Sequence, residues 1–458
     1  MVDTNYDYII IGAGSTGLTA ASMAAQIGVK VLLVEGKRIG GDCTWTGCIP
    51  SKSLLYSASV IQEFNAGKEQ GWLTGELDIN FPEIKNFVRK AIDEIATTET
   101  PDILREEGID VVLGNAKFIS KNKIEVNGEI YTAKKFLIAT GAKPIIPLIE
   151  GVDEVPFHTY ETIFEIKTLP SHLIIIGGGP ISCEMGQAFR TFGSKVSIIQ
   201  GKDRLLRKDD PDASNLLAEV FRQEGIELLF NQHVEKLSYS DQTGVIEVLT
   251  KNAKIHGDAL LIAVGRKPNI DSLNLDAIGV NINKQGGITV DKNLTTSQDN
   301  IYAAGDCIGG LQFTHLGGYQ GFIATRNALF PGSMTGLPEN VPWTTFTHPA
   351  VAHVGLSNLD DYKKPEDVET CFWPLTKVDR AVTESKTKGF IKIFYKKDGT
   401  ILGVTIVAPH AGEMIHEWIF AMDQGRKIGD ISETIHVYPT YSIGSMRAAA
   451  TIRTNQVL

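Results

Sequence analysis

An apolar run of strand length, Tyr8-Ile9-Ile10-Ile11, stops at Gly12-Ala13-Gly14-Ser15-Thr16-Gly17, and a helix-like stretch from Leu18 to Gln26 follows at once. Gly28 then leads into a second buried-strand run, Val31-Leu32-Leu33-Val34, which ends on Glu35. Strand, glycine turn, helix, strand and acid in that order specify half of a dinucleotide-binding fold. The glycines permit a tight turn and the close approach of a pyrophosphate. The helix N-terminus offers unpaired N–H groups and the positive end of a dipole, and the acid can accept from ribose hydroxyls. Gly12, Gly14, Gly17 and Glu35 are the candidate binding residues of this first site.

The pattern recurs 165 residues later. Leu173-Ile174-Ile175-Ile176 precedes Gly177-Gly178-Gly179-Pro180-Ile181-Ser182, a helix-like stretch runs to Gly193, and Lys195 to Ile199 forms a strand ending at Gln200. Two separate dinucleotide folds are implied, with Gly177 and Gly179 in the second turn. They differ at the discriminating position, because Gln200 is uncharged where Glu35 is acidic, and Lys202, Arg204 and Arg207 follow it. An acid there repels a ribose 2′-phosphate, whereas nearby cations admit one. The first site therefore reads as one for FAD and the second as one for NADPH in preference to NADH, with Lys202 and Arg207 the candidate phosphate ligands.

At 458 residues the chain is long enough for about three domains of ~150 residues. Shorter strand-turn segments fill the remainder. Phe136 to Gly141, with Thr140 and Gly141 at its end, and Leu260 to Gly265 are apolar runs stopped by glycine; Pro144, Pro147 and Pro268 just beyond them suit crossings between domains. Ile301-Tyr302-Ala303-Ala304-Gly305-Asp306 places an acid at a strand's carboxyl edge, where ligands bind. From Pro342 onward, strand-like segments and a helix-like Glu413 to Met422 indicate an α+β domain. The net charge of −10 argues against a nucleic-acid or anionic-membrane partner. No apolar run approaches the ~18 residues of a membrane span, and the first residues lack a basic leader, so a cytoplasmic location is expected.

Five cysteines are too few for a secreted disulfide framework, but two are close: Gly40-Gly41-Asp42-Cys43-Thr44-Trp45-Thr46-Gly47-Cys48-Ile49-Pro50-Ser51-Lys52. In a regular helix a five-residue separation would hold the Cα atoms beyond the ~7 Å limit for a disulfide. A local distortion, favoured by Gly47 and Pro50, must bring Cys43 and Cys48 together. Such a pair beside a flavin can accept two electrons and pass them on by thiol exchange. A structural zinc would need two further ligands at matching spacing, and Cys183, Cys307 and Cys371 have no such partner; no metal site is expected. Those three are read as small buried hydrophobes.

The two fingerprints, the dithiol string, Ala139-Thr140-Gly141 and Gly305-Asp306 together resemble the flavin-dependent pyridine nucleotide–disulfide oxidoreductases, over essentially the whole chain. The resemblance implies an α/β fold with two Rossmann-like dinucleotide-binding domains and a C-terminal α+β dimerisation domain. The corresponding boundaries are residues 1–150 and 271–340 for a split FAD domain, 151–270 for an inserted NAD(P)H domain and 341–458 for the interface of a homodimer. It also implies roles. Cys48 would lie against the flavin as a thiolate and Cys43 would face substrate. Lys52 would reach the flavin and pair with Glu184, a cation there stabilising charge that develops on reduction. Asp306 would hold the ribityl or phosphate region, and the stretch around Ala116 would lie along the adenine.

One segment departs from the pattern. Members that reduce disulfides carry a His-Pro-Thr near the C-terminus with a glutamate five residues on, supplied across the dimer interface as acid–base for the interchange thiol. This chain reads His436-Val437-Tyr438-Pro439-Thr440, with Ile443 for the glutamate. A phenol with a pKa near ~10 donates a hydrogen bond but is a poor proton shuttle at neutral pH. Tyr438 is therefore the candidate at this position; His436, two residues earlier on the same face of an extended segment, reads as structural. Mercuric reductases resemble the chain better here, yet they deliver metal through a vicinal cysteine pair near the C-terminus, and no cysteine follows Cys371. The expected activity is transfer of electrons from NADPH through FAD and Cys43–Cys48 to a small acceptor: a metal ion, a quinone or an activated disulfide. The competing readings are a mercuric reductase-like enzyme, a dihydrolipoamide dehydrogenase in which His436 has taken over, and a redox sensor with little turnover.

Overall fold

The computed structural model describes residues 4–457; Met1 to Asp3 and Leu458, the ends of the two terminal stretches, lie outside the described residues. The chain opens with β1 (Asn5–Ile11), α1 (Ser15–Gln26), β2 (Val31–Glu35), α2 (Gly41–Trp45), α3 (Cys48–Glu69), α4 (Phe81–Ala96) and α5 (Pro101–Glu106). The strands β3 (Ile109–Leu113), β4 (Lys117–Ser120), β5 (Lys123–Val126), β6 (Glu129–Ile138) and β7 (Ala142–Pro144) follow. The first sheet runs β3-β2-β1-β6-β5-β4. Its β1, β2, β3 and β6 are parallel neighbours, as expected of strands that are apolar on both faces; one face packs on α1 and α8, the other on β4, β5 and the segment from Leu273 to Val280.

Next come β8 (His172–Ile176), α6 (Pro180–Phe192), β9 (Lys195–Gln200), α7 (Pro211–Gln223), β10 (Glu227–Phe230), β11 (Val234–Ser240), β12 (Val245–Thr250), β13 (Lys254–Gly257), β14 (Ala259–Ile262) and β15 (Arg266–Pro268). Here the parallel order is β10-β9-β8-β14, the order of the first sheet repeated. Equivalent hydrogen bonds repeat too. Gly12 N–H donates to Val34 O and Gly177 N–H to Ile199 O, at 2.7 and 2.9 Å. Both folds are thus built on one local plan, as the 165-residue repeat predicts.

The chain then returns to the first sheet. β16 (Ile301–Ala303) pairs in parallel with the C-terminal half of β6, and α8 (Thr314–Leu329) packs on α1. The prolines placed at the crossings do more than end strands. β7 on the way out and β15 on the way back form an antiparallel ribbon, with Arg266 opposite Pro144 and Pro268 opposite Ala142. The run ending at Gly265 is correspondingly shorter than its apolar pattern suggests: β14 stops at Ile262, and Val264 is exposed where the ribbon begins.

The C-terminal unit comprises β17 (Trp343–Thr345), β18 (Ala350–Gly355), β19 (Val368–Pro374), α9 (Asp379–Thr383), β20 (Phe390–Lys396), β21 (Ile401–Ala408), α10 (Ala411–Asp423), α11 (Ile428–Glu433) and α12 (Ile443–Val457). Its antiparallel sheet, β17-β18-β21-β20-β19, buries one face against α10 and α12 around Trp418. Among the described residues no helix is long and apolar enough to cross a membrane.

Candidate active site

The first glycine turn is shaped by close backbone approaches. Gly12 has a φ of 107°, in the left-handed region, and a Cβ there would strike the Ala139 carbonyl oxygen; at Gly17 it would strike Gly12 O. Gly14 caps α1, and open space surrounds Gly141. Glu35 at the end of β2 accepts from Ala13 N–H (2.7 Å) and Lys37 N–H (2.6 Å), which fixes its carboxylate at the mouth of the turn. Gly114 N–H donates to Glu35 O, which brings buried Ala116 to the same edge. Asp306 pairs with Arg266 at 3.1 Å, and burial holds its carboxyl above the ordinary range. Thr46 Oγ1 and Thr140 Oγ1 are buried with no hydrogen-bond partner among the described residues. These unpaired hydroxyls and the glycine cradle fit a bound dinucleotide.

The dithiol adjoins this turn. Gly40 and Gly41 both take left-handed φ, and a Cβ on Gly41 would lie 2.7 Å from Gly14 Cα, so the redox segment packs directly on the phosphate turn. The distortion required between the cysteines is a break between helices: Cys43 sits in α2, the chain swings through Thr46 and Gly47, and Cys48 begins α3. A Cβ on Gly47 would sit 2.8 Å from Asp42 O, so glycine lets the break close. Both thiols are free, and they are hydrogen-bonded to one another. The bond from Cys43 is the largest influence drawing Cys48 down to about 6; Thr314 Oγ1, 3.2 Å away, and the Lys52 charge lower it further. Cys43 is raised, first by its bond to the Cys48 thiolate and then by burial. Cys48 is also the first residue of a 22-residue helix, whose N-terminal dipole favours a thiolate.

Trp45, between the cysteines, donates from Nε1 to Ile39 O at 2.7 Å, lies under the Arg38 guanidinium and packs on the core that contains Leu54 and Phe81. It clamps the two-glycine turn. Cys183 and Cys307 are buried as expected, but Cys371 is only half-buried.

Lys52, one turn along α3 from Cys48, meets Glu184 of α6 at 3.0 Å, and the Glu184 side chain is only 7% exposed. The same carboxylate accepts from Phe346 N–H at 2.9 Å, while Lys52 Nζ stands 4.4 Å from the Phe346 ring centroid. Three parts of the chain therefore meet at one ion pair. Sequence reasoning missed Phe346, and it missed Thr314, whose helix α8 starts at the Cys48 sulfur; both contacts span more than 150 residues.

In the second fold Gly177 repeats the geometry of Gly12, with a φ of 120° and the Ala263 carbonyl against its missing Cβ; Gly179 caps α6 and faces open space, and Gly265 also has positive φ. Ser182 stands where Gly17 stands, with its Oγ buried and unpartnered among the described residues. Lys202 and Arg207 are exposed on the loop after Gln200. At the C-terminus, Tyr438 is 63% exposed. His436 does not share its face: its side chain is 9% exposed, with Nε2 2.7 Å from Glu417 Oε2 and Nδ1 2.8 Å from Thr434 O. Nothing among the described residues brings Tyr438 to Cys43.

Residues 6–321 match the family described as pyridine nucleotide-disulphide oxidoreductase, and residues 341–448 match that family's dimerisation domain. The chain belongs to this family. It is 35% identical over 452 residues to a mercuric reductase of Lysinibacillus sphaericus, covering 98% of this chain and 83% of that protein. It is 31% identical to a dihydrolipoyl dehydrogenase of Bacillus subtilis, covering 97% and 95%. Among solved structures, a Cu(II) complex of the HOCl-induced flavoprotein disulfide reductase RclA from Escherichia coli superposes with a TM-score of 0.89 at 29% identity, covering 98% of this chain and all of that one. The protein is thus an FAD-dependent pyridine nucleotide–disulphide oxidoreductase with a close Cys43–Cys48 pair, and its dimerisation domain indicates a homodimer. Among the described residues no group of three or more His, Cys, Asp or Glu side chains is arranged to hold a metal ion.

Proposed function

We propose that this oxidoreductase is a cytoplasmic, NADPH-dependent reductase whose acceptor is a thiophilic metal ion, and that it works as a homodimer divided at the domain boundaries given above. The observation that carries the acceptor is the fate of the C-terminal histidine. His436 is engaged by Glu417 and Thr434, and the exposed side chain at the interface position is the phenol of Tyr438. Reducing a disulfide requires protonation of a leaving thiolate, which an imidazole does well near pH 7 and a phenol does not. A metal ion takes electrons without that proton. The mercuric reductase relatives and the Cu(II) complex of the similar structure support the same class.

FAD, when bound, carries an electron pair from the nicotinamide to the Cys43–Cys48 disulfide. The chain's residues do the rest. Gly12, Gly14, Gly17, Glu35, Ala116, Thr140, Gly141 and Asp306 line the FAD site. Gly177, Gly179, Gly265, Lys202 and Arg207 serve NADPH, the two cations taking the 2′-phosphate. Lys52, aimed by Glu184, holds positive charge beside Cys48 and keeps it deprotonated. The reduced pair, a Cys48 thiolate and a Cys43 thiol, then gives one electron to each of two Cu(II) ions, forming two Cu(I) and the disulfide and releasing the single Cys43 proton to water. Tyr438 of the partner subunit orients the entering ion by its hydroxyl.

The test is steady-state oxidation of NADPH and NADH by the purified holoenzyme with Cu(II), Hg(II), a naphthoquinone or lipoamide as acceptor. Turnover with a metal ion that favours NADPH and is lost in Cys43→Ser is expected. Fast NADH-coupled lipoamide turnover would overturn the reading, and so would negligible turnover with every acceptor, the behaviour of a sensor.

A further inference from the structure

The loop that carries Lys202 and Arg207 is anchored at its far end in an unusual way. Leu206 N–H donates to Gly178 O of the second glycine turn (2.8 Å), and Leu206 itself holds a left-handed φ of 43°, uncommon for a branched side chain. Asp209, 3% exposed, accepts from the indole Nε1 of Trp343 at 2.8 Å, across to the C-terminal unit. Asp210 and Asp212 add a second tie through Lys392 of β20, at 2.8 and 2.7 Å.

Trp343 has little room to adjust. One neighbour is the buried ring of His353, 4.5 Å away by centroids; another is Phe313, nearly parallel at 13° and 5.9 Å, which in turn stacks on His315 at 10° and 5.4 Å. His315 Nε2 is 2.8 Å from Pro342 O, next to Trp343 in sequence, so the aromatic column closes on itself. Phe313 immediately precedes Thr314, the residue whose hydroxyl meets Cys48 Sγ at 3.2 Å. One hydrogen bond and one ring contact therefore separate the nucleotide loop from the segment that holds the thiolate.

We propose that Trp343 is a positioning residue that couples the NADPH 2′-phosphate loop to the Cys48 thiolate, through Asp209 on one side and Phe313–Thr314 on the other. The proposal rests on Lys202 and Arg207 being the phosphate ligands. A phosphate drawn onto those cations tightens the loop, seats Trp343 against Phe313 and brings the Thr314 hydroxyl onto the sulfur, which favours the thiolate. Linkage is reciprocal, so the thiolate form binds the nucleotide more tightly by the same factor.

The experiment titrates the long-wavelength thiolate–flavin absorbance of the two-electron-reduced holoenzyme against pH, with and without saturating NADP⁺. In the wild type NADP⁺ lowers the midpoint by about half a unit, equivalent to about threefold in affinity. Trp343→Phe keeps the ring but removes the donor, and its midpoint is the same with and without NADP⁺. Asp209→Ala, which leaves the aromatic column untouched, gives the same loss should the tryptophan variant fold poorly, and Asp209→Asn, which retains an acceptor, restores the shift. A wild type without any shift, or a full shift in both Trp343→Phe and Asp209→Ala, overturns the proposal. The phosphate assignment is judged separately: wild-type protein that binds NAD⁺ as tightly as NADP⁺ overturns that assignment, whatever the midpoints do.

Discussion

Replacing Lys52 by methionine should raise the Cys48 pKa, and replacing Glu184 by glutamine should lower it. Residues four apart on a helix have Cβ atoms about 6 Å apart, and at an effective dielectric of about 20 a unit charge at that distance favours a thiolate by about 3 kcal/mol. The Glu184 carboxylate, 3.0 Å from the ammonium, cancels about half of this. Removing the lysine alone forfeits the full ~3 kcal/mol, about two pKa units, while removing the carboxylate returns ~1.4 kcal/mol, about one unit. Starting from about 6, the midpoint in Lys52→Met moves towards 8. In Glu184→Gln a negative charge disappears, the lysine is unopposed, and the midpoint falls by about one unit. The amide oxygen still accepts from Phe346 N–H, so the backbone contact survives. The assay is the pH titration of thiolate–flavin absorbance in the reduced holoenzyme, read as a midpoint so that changes in band intensity do not matter. Shifts of both variants in the same direction, or of neither by more than about 0.2 units, would refute the electrostatic account.

Gly47→Ala places a Cβ 2.8 Å from Asp42 O, which should push the two cysteines apart, destabilise the fold by about 1–3 kcal/mol and raise the Cys48 midpoint as the bond from Cys43 weakens; thermal melting and the same absorbance titration report the two effects. Lys202→Ala with Arg207→Ala should raise the KM for NADPH by about tenfold or more while leaving NADH unchanged, since a charge-assisted bond contributes about 1.5–3 kcal/mol; steady-state kinetics with both nucleotides decide it. Burial raises the Asp209 pKa from 3.8 to about 6, so its contribution to stability is complete below about 4 and is lost as the pH rises through 6. Asp209→Asn should therefore gain melting temperature relative to wild type between pH 4 and 7, and a gain that is flat with pH would refute the burial argument.

Where a local backbone requirement dictated the residue, the linear pattern was sufficient. Gly12 and Gly177 need positive φ, the helices begin where the phosphate turns end, and the apolar quartets at Tyr8–Ile11 and Leu173–Ile176 are strands buried on both faces. The Cys43–Cys48 spacing demanded a break, and Gly47 supplies it. What the pattern could not carry were partners chosen by tertiary packing. Phe346 N–H on Glu184, Trp343 on Asp209 and Glu417 on His436 join segments whose local sequences fit many surroundings. The same limit explains Tyr438 and His436: alternation assigned them one face of an extended strand, whereas hydrogen bonds turn the histidine inward and leave the phenol out. The ribbon of β7 and β15 is three residues on each side, too short for periodicity to mark.

That ribbon also bears on how the chain is made. The strands of the second parallel sheet are all present once Ile262 has been synthesised, whereas the first sheet still lacks β16 until Ala303. On an emerging chain the later of the two glycine folds is thus the first able to close, and the one begun at the N-terminus must wait with a gap beside β6. Because Pro144 and Arg266 face each other, the finished insert occupies no more of the waiting fold than a hairpin turn would. The order of maturation along this chain is from the inside outwards.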